Sequence, residues 1–138
     1  MQGTQRALID GGVFVNSPVV SSYAEALKLF PGEAVAVVSL GTGELIRRIP
    51  YESARDWGQA GWVSPLIDCM FDGATKVANH QMRMFLGDHY FRLQVTLDEA
   101  KDDMDDATET NIQNLKRIAA RMIAENRSTL DRILEIVA

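Results

Sequence analysis

The chain has 138 residues, 46% hydrophobic and 24% charged, which suits one folded domain and excludes disorder over most of its length. Fourteen basic against nineteen acidic residues leave a net charge of −5, which excludes a nucleic-acid surface, since no excess of cations can displace phosphate counterions. The single cysteine, Cys69, excludes an intrachain disulfide and a cysteine zinc site, and no apolar run reaches the ~18 residues that span a bilayer.

In chain order, Arg6 to Ile9 form a short apolar run before "DGG", Asp10 to Gly12. The run is too short to identify a strand alone, but the glycine turn and helix start after it support a strand over 6–9. The string "NSP", Asn16 to Pro18, is that helix start: Asn or Ser caps the orphan N–H groups and proline suits the first helical position. Val20, Tyr23, Ala24, Leu27 and Phe30 recur at three- and four-residue spacing, which predicts a helix over 18–29 stopped by Pro31-Gly32. The run "AVAVVSL", Ala34 to Leu40, is apolar without alternation and predicts a strand buried on both faces, ended by Gly41-Thr42-Gly43. Strand, helix and strand make a parallel βαβ unit of an α/β fold. In such a pair both strands end on the same rim, so Asp10 and Gly41 to Gly43 are expected together where open α/β sheets bind ligands.

Leu45 to Trp62 reads as a loop with short helical turns. Pro65 is expected to start a helix whose stripe of Leu66, Met70, Phe71, Ala74, Val77, Ala78, Met82 and Phe85 faces a core, with Gly87 as its stop. "HYFRLQVTL", His89 to Leu97, alternates and predicts a strand. An acidic run, Asp98 to Asp106, precedes a long terminal helix from about Thr108 to Val137.

Each chemical candidate has a plainer alternative. Asp-Gly is a common turn dipeptide, because the carboxylate accepts a local backbone bond and glycine tolerates positive φ. On these residues alone the turn is the expected reading, and the place of Asp10 on the ligand rim raises its standing as a candidate base. The pair Gly41/Gly43 could open a dinucleotide loop, but Ile46 stands where the third glycine is needed, so a strand-terminating turn is expected. The acidic run lacks the glycine of a calcium loop and is read as a solvated face leading into a helix N-terminus. His80 and His89 lack ligand spacing. No metal and no cofactor is implied. Trp57, Trp62, Met70, Phe71, Met82, Met84 and Phe85 could contact lipid, but apolar residues at helical spacing more often pack inward. None of Ser17, Ser21, Ser22, Ser39, Ser53, Ser64 and Ser128 has the G-x-S-x-G setting of a nucleophile elbow.

Taken together, "LIDGGVFVNSP", "YAEAL" and "AVVSLGTGE" resemble the C-terminal part of a patatin-like phospholipase domain. The match is strong from Leu8 to about Glu44 and agrees only in character beyond. The resemblance implies a partial patatin-like fold over residues 1–138 and a serine–aspartate dyad that hydrolyses lipid or phospholipid esters. Asp10, in Asp10-Gly11-Gly12, would be the general base. It implies further that the oxyanion loop and serine elbow lie in a missing N-terminal half, so that the chain alone is inactive. A sheet lacking those strands would expose Ala34 to Leu40 as an edge and self-associate. The N-terminus, "MQGTQRALID", has no signal-peptide pattern, so a cytoplasmic protein is expected, with peripheral membrane contact for a lipid substrate. Two other readings remain open: a non-catalytic interaction module on the same scaffold, and a small nucleotide-binding protein using Gly41 to Gly43.

Overall fold

A computed structural model describes residues 7–46, 48–103 and 105–138. The order of elements is α1 (Val19–Leu29), β1 (Val37–Leu40), α2 (Tyr51–Ala54), α3 (Gln59–Leu86), β2 (Tyr90–Leu93), α4 (Glu109–Glu125) and α5 (Arg127–Val137). Short 3-10 turns at Gly11–Val13 and Gly87–His89 precede α1 and β2.

The sheet is parallel, as the apolar strand pattern requires. Its two strands are β1 and β2, with Val37 opposite Tyr90 and Leu40 opposite Leu93, and a further parallel bridge joins Glu44 to Thr96. The segment 6–9, expected as the partner of β1, does not take that place. Arg6 lies outside the described residues, and Ala7 to Ile9 adopt no regular structure. Leu8 and Ile9 stand 87% and 81% exposed, so no packed surface holds them in a sheet. The α/β class and the parallel pairing therefore stand, with the crossover running through α2 and α3 rather than α1.

Alternation sends successive side chains to opposite faces. On one face Tyr90 and Val37 join Val19 of α1 and Met82 of α3 in a core completed by Val20, Tyr23, Ala78 and Leu86. The other face carries Phe91 and Leu93, both buried, with the Arg132 guanidinium of α5 5.6 Å above the Phe91 ring. A second cluster, Leu97, Ala100 and Ile118 with Leu45 and Val95, fastens the segment after β2 to α4. Burial of β1 on both faces fails: Val38 and Leu40 are exposed because no helix covers them.

Two of the expected helices differ from expectation. The third helix begins at Gln59, six residues before Pro65, which sits inside it. A proline ring crowds the carbonyl four residues earlier, here that of Gly61, whose lack of a side chain leaves room to adjust. Trp57 and Trp62 pack edge to face at 5.2 Å across this first turn. The stripe expected to face a core is buried only at Met82, while Leu66, Met70, Val77 and Phe85 are exposed. The terminal helix is two helices. Asn126 leaves helical geometry at φ −106° and ψ 22°, and its side-chain amide donates to the Met122 carbonyl at 2.8 Å, competing with the backbone ladder.

Candidate active site and the groove beside the first strand

The turn at Asp10 is built locally. Its Oδ1 accepts the Gly12 N–H at 2.6 Å, and the Val13 N–H donates to its carbonyl at 3.2 Å, forming the 3-10 turn. A Cβ at residue 12 would stand 2.8 Å from the same Oδ1, so glycine there lets the carboxylate cap the turn. Asp10 is exposed and available to a second molecule or segment.

The expected common rim places Gly41 to Gly43 beside the start of α1 rather than beside Asp10. A groove of about 470 Å³ brings Asn16, Ser17 and Pro18 alongside β1 and Gly41 to Gly43, with Asp72 and Thr75 of α3 on its wall. The Asn16 amide donates to the Thr75 hydroxyl at 3.2 Å, tying the entry of α1 to α3. Asp10 does not line this groove.

Gly41-Thr42-Gly43 is a strand-terminating turn pinned from β2. The Gly41 N–H donates to the Leu93 carbonyl at 2.8 Å, and the Gly43 N–H to the side-chain oxygen of Gln94 at 3.2 Å. Any Cβ at residue 41 would collide with the Gln94 amide. Gly43 has φ +104°, and a Cβ there would meet Leu97 at 2.5 Å. Both glycines thus serve close approach, and the Gly43 N–H is already taken by a side chain rather than offered to a phosphate.

Reading the strand from sequence missed Arg92 and Gln94. They stand two apart in β2 and its extension, hence on one face, and both line the groove. Arg92 donates to the Ser39 hydroxyl at 2.9 Å across the parallel pair. The alternation in "HYFRLQVTL" is the signal that could have grouped them.

The acidic run is not merely solvated. Asp98 binds Arg121 at 2.7 Å and Glu99 binds Arg117 at 2.5 Å, which clasps α4 to the segment after β2, while Asp106 binds Lys101 at 3.0 Å within that segment. The Arg121 guanidinium holds the Asp98 carboxyl below its ordinary value, and the Thr108 hydroxyl followed by the Lys101 ammonium does the same for Asp106. His80 lies exposed on α3 and His89 closes the 3-10 turn before β2.

These features define a parallel α/β protein with α1 and α3 packed on one face of its sheet, an Asp-Gly-Gly turn ahead of its first helix and a glycine turn closing its first strand. The chain is similar to Patatin-like protein 4 of Arabidopsis thaliana, at 27% identity over 90% of its length. Patatin-like protein 1 and Patatin-like protein 3 of the same plant match at 27% and 25% over 87% and 90%. The resemblance to the patatin-like family read from the motifs therefore stands across most of the chain. The chain spans 35–38% of the length of these relatives. No family profile and no solved structure matches it. Among the described residues, no helix is long and apolar enough to cross a membrane.

Proposed function

We propose that the chain is the C-terminal portion of a patatin-like domain that hydrolyses lipid acyl esters, with Asp10 as general base. The observation that carries this reading is the similarity to patatin-like proteins along nearly the whole chain, together with an Asp10 carboxylate that one hydrogen bond holds at an exposed turn. No serine of the chain has an elbow sequence, so the nucleophile comes from the portion of the fold outside the matched stretch. Asp10 takes the proton of that serine as Oγ attacks the ester carbonyl carbon, while backbone N–H groups hold the developing oxyanion. The tetrahedral centre collapses, the C–O bond to the alcohol breaks, and the proton passes from Asp10 to the departing oxygen. Water, deprotonated by Asp10, then attacks the acyl carbon, the bond to the serine Oγ breaks, and the proton passes from Asp10 to Oγ as the acid leaves. The substrate is a lipid or phospholipid ester, met at the edge of a membrane or a lipid aggregate.

A specific observation favours a second reading, a non-catalytic interaction module. Large apolar side chains such as Phe14, Leu40, Met84 and Phe85 stand 60% exposed or more, as an interface would require.

Hydrolysis of nitrophenyl and phospholipid esters decides between them, measured for the chain alone and for the chain combined with the remaining portion of a patatin-like relative. The chain alone is expected at background and the combination above it. Asp10→Asn keeps the shape of the side chain but cannot accept the serine proton, so the combined activity should fall by about 10²–10⁴-fold. Activity in the chain alone, or undiminished activity in Asp10→Asn, would remove Asp10 from the chemistry.

A further inference from the structure

The turn that carries Asp10 is bonded to itself. Asp10 Oδ1 accepts the Gly12 N–H, the Val13 N–H donates to the Asp10 carbonyl, and the Phe14 and Val15 N–H groups donate to the Gly11 carbonyl. These bonds fix the carboxylate relative to the turn, but not the turn relative to the rest of the fold. Apolar packing does not fix it either: Leu8, Ile9, Val13 and Phe14 are exposed, and residues 11–13 include none that is buried.

Asn16 supplies the link. Its setting ahead of Pro18 predicts a helix cap, yet Pro18 itself flanks α1 and no side-chain capping bond is made there. The amide is committed elsewhere. Its Nδ2 donates to Thr75 Oγ1 of α3 at 3.2 Å, across 59 residues of chain. The oxygen of the same amide lies beside the turn, 3.9 Å from where a Cβ on Gly12 would stand. Asn16 thus sits between the Asp10 turn and α3. Thr75 is a firm support, because it shares a helix face with Ala78 and Met82, which belong to the core shared with Val19 of α1 and Tyr90 of β2.

We propose that Asn16 is a positioning residue: anchored on Thr75, it holds the Asp10 turn at a fixed angle to α3 and so sets the direction from which the carboxylate meets the serine. This inference rests on the functional reading above and adds to it the residues that aim the base. A general base works only within hydrogen-bond reach of the proton it takes. Misplacing a reacting group by about 1 Å costs on the order of 10²-fold in rate. Asn16 and Thr75 act through Asp10 rather than on the substrate, so their loss falls on kcat and leaves KM in place.

Three variants test it. Thr75→Val keeps the shape of the side chain and removes the acceptor, Thr75→Ser keeps the hydroxyl, and Asn16→Leu removes the donor. In the chain alone, backbone amide order parameters from NMR relaxation report whether residues 11–13 are held. Values of about 0.85 are expected for the parent and Thr75→Ser, and values below about 0.6 for Thr75→Val and Asn16→Leu, with circular dichroism unchanged. In the chain combined with the remaining portion of Patatin-like protein 4, Thr75→Val and Asn16→Leu should lower kcat by about 10- to 100-fold with KM within about twofold, while Thr75→Ser retains the parent kcat. A turn that stays rigid in Thr75→Val and Asn16→Leu overturns the proposal. So does a loosened turn with unchanged kcat in an enzyme that Asp10→Asn inactivates. A fall in kcat that Thr75→Ser shares also overturns it, because the hydroxyl would then not be the anchor. A loosened turn without Asp10-dependent ester hydrolysis keeps Asn16 as the anchor of the turn and removes the hydrolase reading.

Discussion

Gly43 shows how one residue serves two demands at once. Its φ of +104° lies where side-chain-bearing residues are strained, and Leu97 fills the space a Cβ would need. Gly43→Ala should therefore destabilise the chain by about 1–3 kcal/mol, read from the denaturant midpoint. Gly11→Ala is the control. A Cβ there meets nothing within 4 Å, and its change should stay within about 0.5 kcal/mol. Equal effects at the two sites would mean that the turn after β1 is not tight. The same scale shows what local chemistry makes legible. The dipeptide Asp10-Gly11 predicts a carboxylate-capped turn, and that turn is formed by the bond to the Gly12 N–H. Whether the carboxylate also acts as a base depends on a nucleophile, which a local motif does not supply.

At the scale of elements, α4 is anchored by the buried Asn111. Its side-chain oxygen accepts the Lys101 N–H at 2.9 Å, and its amide donates to the Asp106 carbonyl at 3.0 Å, so one side chain closes the loop ahead of the helix it belongs to. Thr108 caps the same helix by accepting the Asn111 N–H at 3.4 Å. Asn111→Leu would leave a donor and an acceptor without partners and should cost about 1–3 kcal/mol, measurable by urea unfolding. A neutral result would show that water satisfies both groups. The acidic run before α4 was legible as a helix lead-in, because charge near a helix N-terminus is a local effect. Its pairing with Arg117 and Arg121 was not, since those cations lie 18 and 23 residues further along and must be brought back by packing. The break at Asn126 is likewise quiet in the pattern, because the apolar spacing continues through it on both sides.

For the whole molecule, the clasp between the acidic run and α4 sets an acid limit. Asp98 and Asp106 both titrate below their ordinary value of 3.8 in the folded chain. A carboxyl lowered by folding contributes stability that is complete above its unfolded value and is lost as pH falls through the folded one. The unfolding temperature should thus hold from neutrality to about pH 5 and decline below about pH 4. Asp98→Asn combined with Asp106→Asn should flatten part of that decline, as followed by circular dichroism. An unchanged slope in the double variant would assign acid sensitivity to other carboxylates. The partners are solvent-exposed at Lys101 and Arg117, so salt should weaken the clasp.

By itself the sequence determined what depends on near neighbours. The spacing of Val20, Tyr23 and Leu27 behind Asn-Ser-Pro made α1, and a charge-free apolar run ended by two glycines made β1 and its closing turn. The Asp-Gly-Gly, Asn-Ser-Pro and Ser-Leu-Gly-Thr-Gly strings, taken together, carried the resemblance to the patatin-like family, and relatives matching about nine tenths of the chain bear it out. Only the tertiary structure decided which strand β1 would choose, and it chose β2, fifty-three residues away in register, over the nearer segment ahead of α1. It also decided that Gln94 would hold the Gly43 N–H, that Arg92 would reach Ser39, and that Val38 and Leu40 would face outward. The reason is physical: periodicity says that a side chain is apolar and which way it can point, but burial needs a second surface, and where that surface comes from is settled by competition among contacts distant in sequence.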